Sequence, residues 1–592
     1  MTNATPTARP ALLPRMPWWV RVVLLLVAGW FVGTQFLHVF REAINWDEFA
    51  LLERADRTLR LGQVIGGGRP GLVPLVLTVF VRDCVDSVQA VVNARLAWMC
   101  LTLAYLVGVY ALVRRWFTHC GRVGDGRAAA PLAVVLLAFL PAFVTWSVQV
   151  RTDQAALATA IWGSVMLLST SLPGAAVAGV LWGIAVLCTQ KAIYVIALGT
   201  ILFITASATR ILPRHELSRV ETVLVVRRML LVTLAAAATV GLYLWLVPEA
   251  ASLASTRGVT SAIATMEWTR KAQGYRIYVV HATRLVVHWA ALVVLAAWSA
   301  RVARKRDSGA LPVLGAAWGT LLLGLAVVRF HGSSFPYFIM TAGLFPAIAL
   351  ALPADRILAR AGRSGWPLLA ALVAMAAMQS ARESVEMLAD TQSEQRATLR
   401  MVLASGLRTR RGYQVEGALL CSRDPDPLPT LFSQDIWRRF VDSPVAAQNA
   451  ADFIAHLRSA PVAYVVESYR LRQFPETIRQ FFAAHYVWHA RSLFVAGYRL
   501  TGLSDTVEVD VIVPGRYRWD AASDVAPTSI LVDASPVAPS SEVELSVGIH
   551  RISTTGAPAF GSLILGDVPR SDEAGFAGFY LTRQIVQLGG WR

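Results

Sequence analysis

Charged residues are scarce in this chain, lysine is nearly absent, and no cysteine stands at metal-ligand spacing. Asp, Glu, Lys and Arg make up 16% of the 592 residues, against 55% apolar and aromatic types. With a mean hydropathy of +0.51, the composition excludes an ordinary soluble protein of this size and points to a polytopic membrane protein. Cys84, Cys100, Cys120, Cys188 and Cys421 form no CxxC or Cys/His pattern, and two of them lie inside apolar runs, which argues against a structural zinc site. A disulfide between Cys84 and Cys421 and a pair of free thiols stay equally open. Lysine occurs only at Lys191, Lys271 and Lys305, so the net charge of +17 belongs to arginine. No basic stripe is interleaved with aromatics. Arginine at the ends of apolar runs fits membrane loops and anionic lipid better than nucleic acid.

What is present is a series of apolar runs of spanning length. The first, Trp18 to Leu37, follows Arg9 and Arg15 and lacks a small-residue cleavage site, so it reads as a retained signal anchor. Others fall near 89–113, 131–148, 153–170, 174–189, 191–208, 229–247, 284–300, 311–328, 335–352 and 366–380. About eleven spans are expected, each of roughly 17 to 25 residues. Pro70 to Val81 is shorter and suits a helix lying in the interface. Arginine clusters at 114–127, 210–228, 301–306 and 356–363 then share one side with the N-terminus. That side is expected to be cytoplasmic in an inner membrane, with the C-terminal region on the outer face.

The outer face receives the loop 38–72, Arg151 to Asp153, Lys191, residues 248–283 and His331. The loop 248–283 breaks the charge rule, carrying Arg257, Arg270, Lys271 and Arg276 against Glu249 and Glu267. Contact with a phosphate headgroup would explain it, as would a solvated face near anionic lipid. The loop 38–72 carries adjacent acids, Asp47 and Glu48, beside Trp46. A carboxylate there could accept a proton next to a lipid phosphate, although an acidic turn or helix cap would look the same.

The order of these signals resembles the GT-C glycosyltransferases: a first span, the acidic "NWDEF", "RPGL" before an interfacial helix, a span ending in "LVRRWF", then "VRTDQAAL" and "TQKAIY". The resemblance covers about residues 15–350 and is to the branch holding protein O-mannosyltransferases and the transferases that put aminoarabinose on lipid A. It implies a polyprenyl-phosphate sugar donor, a multispanning fold and catalysis opposite the cytoplasm. Asp47 then matches the catalytic acid, Glu48 its neighbour, and Asp153 the second acidic position. Arg69 stands in "RPG" where many relatives have His-Pro-Pro or Lys-Pro, a departure from the pattern. The family's use of a divalent cation differs between branches, so no cofactor is assigned and the metal question stays open.

Each further candidate has a structural alternative. Arg151 could bind donor phosphate or pair with Asp153 at a helix entrance. Lys191, at a sharp turn, could be a point charge for phosphate or could snorkel. Arg329, His331 and Tyr337, in "RFHGSSFPYF", suit phosphate or sugar contacts, and an aromatic belt equally. Trp46 could stack on a sugar ring or serve as an interfacial tryptophan.

The expected organisation is therefore an α-helical membrane domain over 1–380, a linking helix with a small α/β domain over 381–504, and a β-sandwich-like domain over 505–592. Trp437, Trp488 and Trp519 are core residues or sugar platforms. The implied activity is transfer of a sugar to a glycan, lipid or protein acceptor. A transporter or flippase of lipid-linked glycan, or a noncatalytic envelope-glycan scaffold, are the rivals.

Overall fold

Proline and short loops shape the membrane part of the chain. The computed structural model describes residues 17–65, 70–120, 126–169, 171–211, 218–253, 286–305, 310–330, 338–361, 365–389, 391–414, 433–468, 470–503, 505–522, 529–554, 558–566 and 568. Its first eleven helices are α1 (Trp18–Arg41), α2 (Trp46–Leu61), α3 (Leu72–Val81), α4 (Ser87–Cys120), α5 (Ala129–Ala138), α6 (Pro141–Trp146), α7 (Thr152–Leu167), α8 (Leu172–Cys188), α9 (Ala192–Ile211), α10 (Ser218–Leu246) and α11 (Pro248–Leu253). Later helices include Val286–Lys305, Leu311–Phe330, Gly365–Ala389 and Ser393–Ala404.

Six described helices are long and apolar enough to cross a membrane: Trp18–Arg41, Ser87–Cys120, Ala192–Thr209, Val220–Leu246, Leu311–Val328 and Met340–Leu358. The expected count of about eleven does not follow from helix length. The run 131–148 is split, because Pro141 lacks an N–H and forces Leu140 into an extended conformation between α5 and α6. Helices α7 and α8 have 16 and 17 residues, about 24 to 26 Å at 1.5 Å per residue, short of a hydrocarbon core of about 30 Å. Leu25, Leu26, Val79, Leu234 and Trp245 are exposed, as lipid-facing side chains would be. Close packing relies on small residues: a Cβ on Gly179 of α8 would lie 2.4 Å from the Val232 carbonyl of α10.

Two ends of the bundle differ. At one end the last carbonyls of α7 and of the turn after it receive arginines, Arg115 on Val165 at 3.0 Å and Arg228 on Leu167 and Ser169. Cations there satisfy orphan carbonyls and oppose the helix dipole. The other end holds the C-terminus of α1, all of α2, and the N-termini of α7 and α9.

The C-terminal part is strand-rich. Strands β1 (Gly412–Gln414), β2 (Tyr464–Val466), β3 (Tyr486–Ala490), β4 (Leu493–Leu503), β5 (Val507–Val511), β6 (Gly515–Ala521), β7 (Ile530–Val532), β8 (Ser535–Val537), β9 (Glu542–Leu545), β10 (Gly548–Thr554) and β11 (Ala559–Leu565) form two sheets. One has the order β1-β2-β4-β11-β6-β9, with β3 also on β4; the other is β5-β10-β7-β8. The boundary expected at 504 is bridged, since Gly497 to Leu503 of β4 pair with β11. A strand of 11 residues is long enough to serve both halves. Trp519 is fully buried, whereas Trp437 and Trp488 are exposed. Cys84 donates its thiol to the Asp86 carbonyl, and Cys421 lies outside the described residues.

Candidate functional site

Asn45 starts α2, and it does so by a capping box. Its side chain accepts from the Asp47 N–H at 3.0 Å, while the Glu48 carboxylate receives the Asn45 N–H at 3.0 Å. Asp47 and Glu48 thereby occupy the first turn, where the helix dipole favours negative charge. Gly62 ends the helix with φ 64°, a left-handed conformation that a side chain would disfavour.

The two acids point into different surroundings. Glu48 faces Arg95 of α4, and both side chains are 0% exposed. Arg95 Nε and Nη2 donate to the two carboxylate oxygens at 2.8 and 2.5 Å. The guanidinium also donates to the carbonyls of Glu42 and Ala43, at 2.9 and 3.2 Å. These carbonyls follow the end of α1, so one arginine closes α1 and holds the start of α2. Glu48 Oε1 accepts a second bond, from the Val150 N–H at 2.8 Å, the fourth on this carboxylate.

That last bond fixes the irregular stretch Ser147 to Arg151. Two of its carbonyls are met by side chains: Thr102 donates to the Ser147 carbonyl at 2.5 Å and Trp98 to the Arg151 carbonyl at 2.7 Å. Non-helical backbone among apolar helices persists when it is satisfied in this way. Beneath it lies a further polar group, with His38 3.0 Å from Glu42 and Gln149 donating to Glu42 at 2.8 Å. Sequence reasoning missed Arg95, Glu42 and His38. An ionisable residue inside a spanning run was the available signal.

Asp47 turns the other way. Its carboxylate is 20% exposed and lies 2.7 Å from Arg151 Nη2. Arg151 Nε is 4.0 Å from Asp153, and Asp153 is 3.2 Å from Lys191 Nζ, itself 19% exposed. Asp47, Arg151, Asp153 and Lys191 thus form one alternating row from three separate parts of the chain. The Arg151 backbone is extended and precedes α7, while Lys191 occupies the turn between α8 and α9. Both cations are therefore presented from helix junctions.

Trp46 is largely buried, with Arg470 of the C-terminal part stacked on its ring at 4.0 Å. Arg69, Arg270, Lys271, His331 and Tyr337 lie outside the described residues. Arg329 is in the last turn of Leu311–Phe330. The Tyr243 hydroxyl donates to the Pro70 carbonyl at 2.8 Å, tying the end of α10 to the residue after Arg69. Among the described residues, no group of three or more His, Cys, Asp or Glu is arranged to hold a metal ion.

No family model and no curated protein matches the chain. Among solved structures, it is similar to ArnT from Cupriavidus metallidurans bound to undecaprenyl phosphate, at 14% identity and a TM-score of 0.49, over 81% of this chain and 98% of that one. It is also similar to the arabinosyltransferase EmbB from Mycobacterium smegmatis, at 11% identity and a TM-score of 0.34, over 96% of this chain and 66% of that one. With both scores below 0.5, what the chain does has to come from its own residues.

Proposed function

We propose that this chain is an integral-membrane glycosyltransferase of the GT-C type, moving a sugar from a polyprenyl-phosphate donor to a hydroxyl acceptor in the cell envelope. The observation that carries the proposal is the row Asp47–Arg151–Asp153–Lys191 at one end of the helix bundle. A partly exposed carboxylate, Asp47, stands there against Arg151, and Asp153 links that arginine to Lys191. This reading also rests on the sequence resemblance of "NWDEF", "VRTDQAAL" and "TQKAIY" to that family.

Asp47 acts as general base. It takes the acceptor proton while the acceptor oxygen bonds to the anomeric carbon. The bond from that carbon to the phosphate oxygen breaks, and polyprenyl phosphate leaves with the electron pair. Arg151 and Lys191 meet the departing phosphate, and Asp153 holds both cations in place. A phosphate drawn to Arg151 competes with Asp47 for the guanidinium, which frees the carboxylate to receive a proton. Preorganised cations of this kind are worth several kcal/mol in a site with little water.

Glu48 has a different task in this account. Its oxygens are taken by Arg95, Val150 and Asn45, so it sets the turn from which Asp47 projects. The buried ionisable groups below, His38, Glu42 and Arg95, bond to one another and to backbone. That favours the enzyme over a transporter, in which such groups line a path. The site faces away from the cytoplasm, with the N-terminus cytoplasmic and the C-terminal part on the outer side of the inner membrane. Arg69, Arg270, Lys271, Arg329 and His331 are further cations for the donor, and Tyr337 a sugar contact.

The test is transfer from a panel of labelled polyprenyl-phosphate sugars to envelope acceptors by purified protein in lipid nanodiscs. Transfer from at least one donor is expected. Donor binding without transfer to any glycan, lipid or protein acceptor would move the weight to a transporter or scaffold.

A further inference from the structure

The C-terminal part reaches the turn that carries Asp47 by two routes. The first is direct. Arg470 is 2% exposed, and its guanidinium carbon lies 4.0 Å above the ring centroid of Trp46, the residue before Asp47. A cation over an indole face, shielded from water, is attractive and directional. The second runs through the helix Ser393–Ala404. Gln395 accepts from the Ile44 N–H and donates to the Ile44 carbonyl, both at 2.8 Å, just before the cap Asn45. On the same helix, Glu394 accepts from Arg491 at 2.8 Å and from Ser492 at 3.1 Å. These two residues form the turn just before β4. Further back, Gln392 donates its backbone N–H to the Arg41 carbonyl at 3.0 Å, and Thr391 bridges to Glu42.

The elbow from Arg41 to Trp46 is therefore held between Arg95 inside the bundle and the C-terminal part outside it. We propose that Arg470 is a positioning residue for the Asp47 carboxylate, acting through Trp46, and that the C-terminal part thereby belongs to the catalytic centre. The inference rests on Asp47 being the base. Trp46, covered by Arg470, orients α2 and leaves sugar contact to other residues. Cation–π attraction weakens if the head group is merely cationic and not planar, but it survives in lysine, whereas alanine removes it.

The experiment compares wild type with Arg470→Ala and Arg470→Lys in nanodiscs, by two readouts. Hydrogen exchange of peptides covering 42–52 reports the elbow without any activity. Steady-state transfer separates kcat from donor KM. Arg470→Ala is expected to speed exchange over 42–52 while peptides of β4 and β11 keep their protection. It is expected to lower kcat about tenfold with donor KM within about twofold, and Arg470→Lys to recover a large part of both. Unchanged exchange in Arg470→Ala would overturn the proposal. A raised donor KM at unchanged kcat would overturn it too, since Arg470 would then be a binding residue. If wild type transfers nothing from any donor, the function reading fails by itself. Exchange then still decides whether Arg470 holds the elbow, and an Arg470→Ala chain that loses protection in β4 as well counts against it.

Discussion

Asp47 and Glu48 are neighbours in sequence, yet the ionic clusters they join are built on opposite terms. The Glu48 cluster is dry: both partners are 0% exposed, the guanidinium grips the carboxylate with two donors, and backbone groups fill the remaining positions. The Asp47 cluster is a row of ion pairs at 2.7, 4.0 and 3.2 Å, with its two ends about one fifth exposed. A saturated pair has nothing left to offer a substrate. A row of mixed charge that is open to solvent at both ends can exchange partners when a phosphate and a hydroxyl arrive. A single residue step within one helical turn separates a structural use of charge from a chemical one.

The largest expected effect lies on the dry side. Arg95→Met leaves Glu48 buried without its cation, and breaking a buried pair from one side costs about 3 to 5 kcal/mol. Thermal unfolding in detergent should show a strongly destabilised protein. The double change Arg95→Met with Glu48→Met should recover part of that loss, because the uncompensated charge is gone. Equal instability in the single and double variants would erase the distinction between the clusters.

The open side should respond in rate. Lys191→Gln is expected to slow transfer about 100-fold, the scale for removing one preorganised donor from a charge-stabilising site. Its unfolding midpoint should stay close to wild type, since partly exposed pairs contribute about 1 kcal/mol or less. A variant that unfolds early but transfers normally once folded would make Lys191 a member of the structural set.

A third pair joins a buried imidazole to a half-exposed carboxylate. In the C-terminal part, His550 Nδ1 lies 2.5 Å from Asp533, and the Arg551 N–H donates to the same carboxylate. Burial presses the His550 pKa down, but Asp533 and the Ser546 carbonyl outweigh it and hold it above the ordinary value. The Arg551 N–H, then His550, hold Asp533 below its ordinary value. The His550 contribution is complete below its unfolded pKa of about 6.5 and is lost as pH rises through the folded value. The Asp533 contribution is present above its unfolded pKa of about 3.9 and is lost as pH falls through the folded value. His550→Ala should therefore flatten the decline in unfolding midpoint above about pH 6.5. This is the smallest effect of the three, and transfer should be untouched. A pH dependence identical to wild type would contradict it.

Much of the helical part was legible because apolar runs are long and arginines mark their ends. The breaks were harder: Pro141 divides a run that hydropathy reads as continuous. The C-terminal part was legible as strand-rich, but the shared sheet did not show, since pairing of β4 with β11 joins residues about sixty apart. At the site, "NWDE" pointed to Asp47 and also contained the N-x-x-E spacing of a capping box. The sequence alone did not divide the two roles between the acids. Arg95 was hidden within an apolar helix, and the approach of Arg470 to Trp46 spans more than four hundred residues. Contacts of that length follow from packing and leave no local pattern.

The central claim is that Asp47 performs the chemistry from a turn that Glu48 merely holds. Single-turnover transfer by Asp47→Asn, with binding of the polyprenyl-phosphate donor and the unfolding midpoint measured on the same preparation, tests it most directly. The account predicts a loss of about 1,000-fold in rate, the scale of general-base catalysis, with donor binding and stability close to wild type. Transfer at the wild-type rate by a folded, donor-binding Asp47→Asn protein would contradict it.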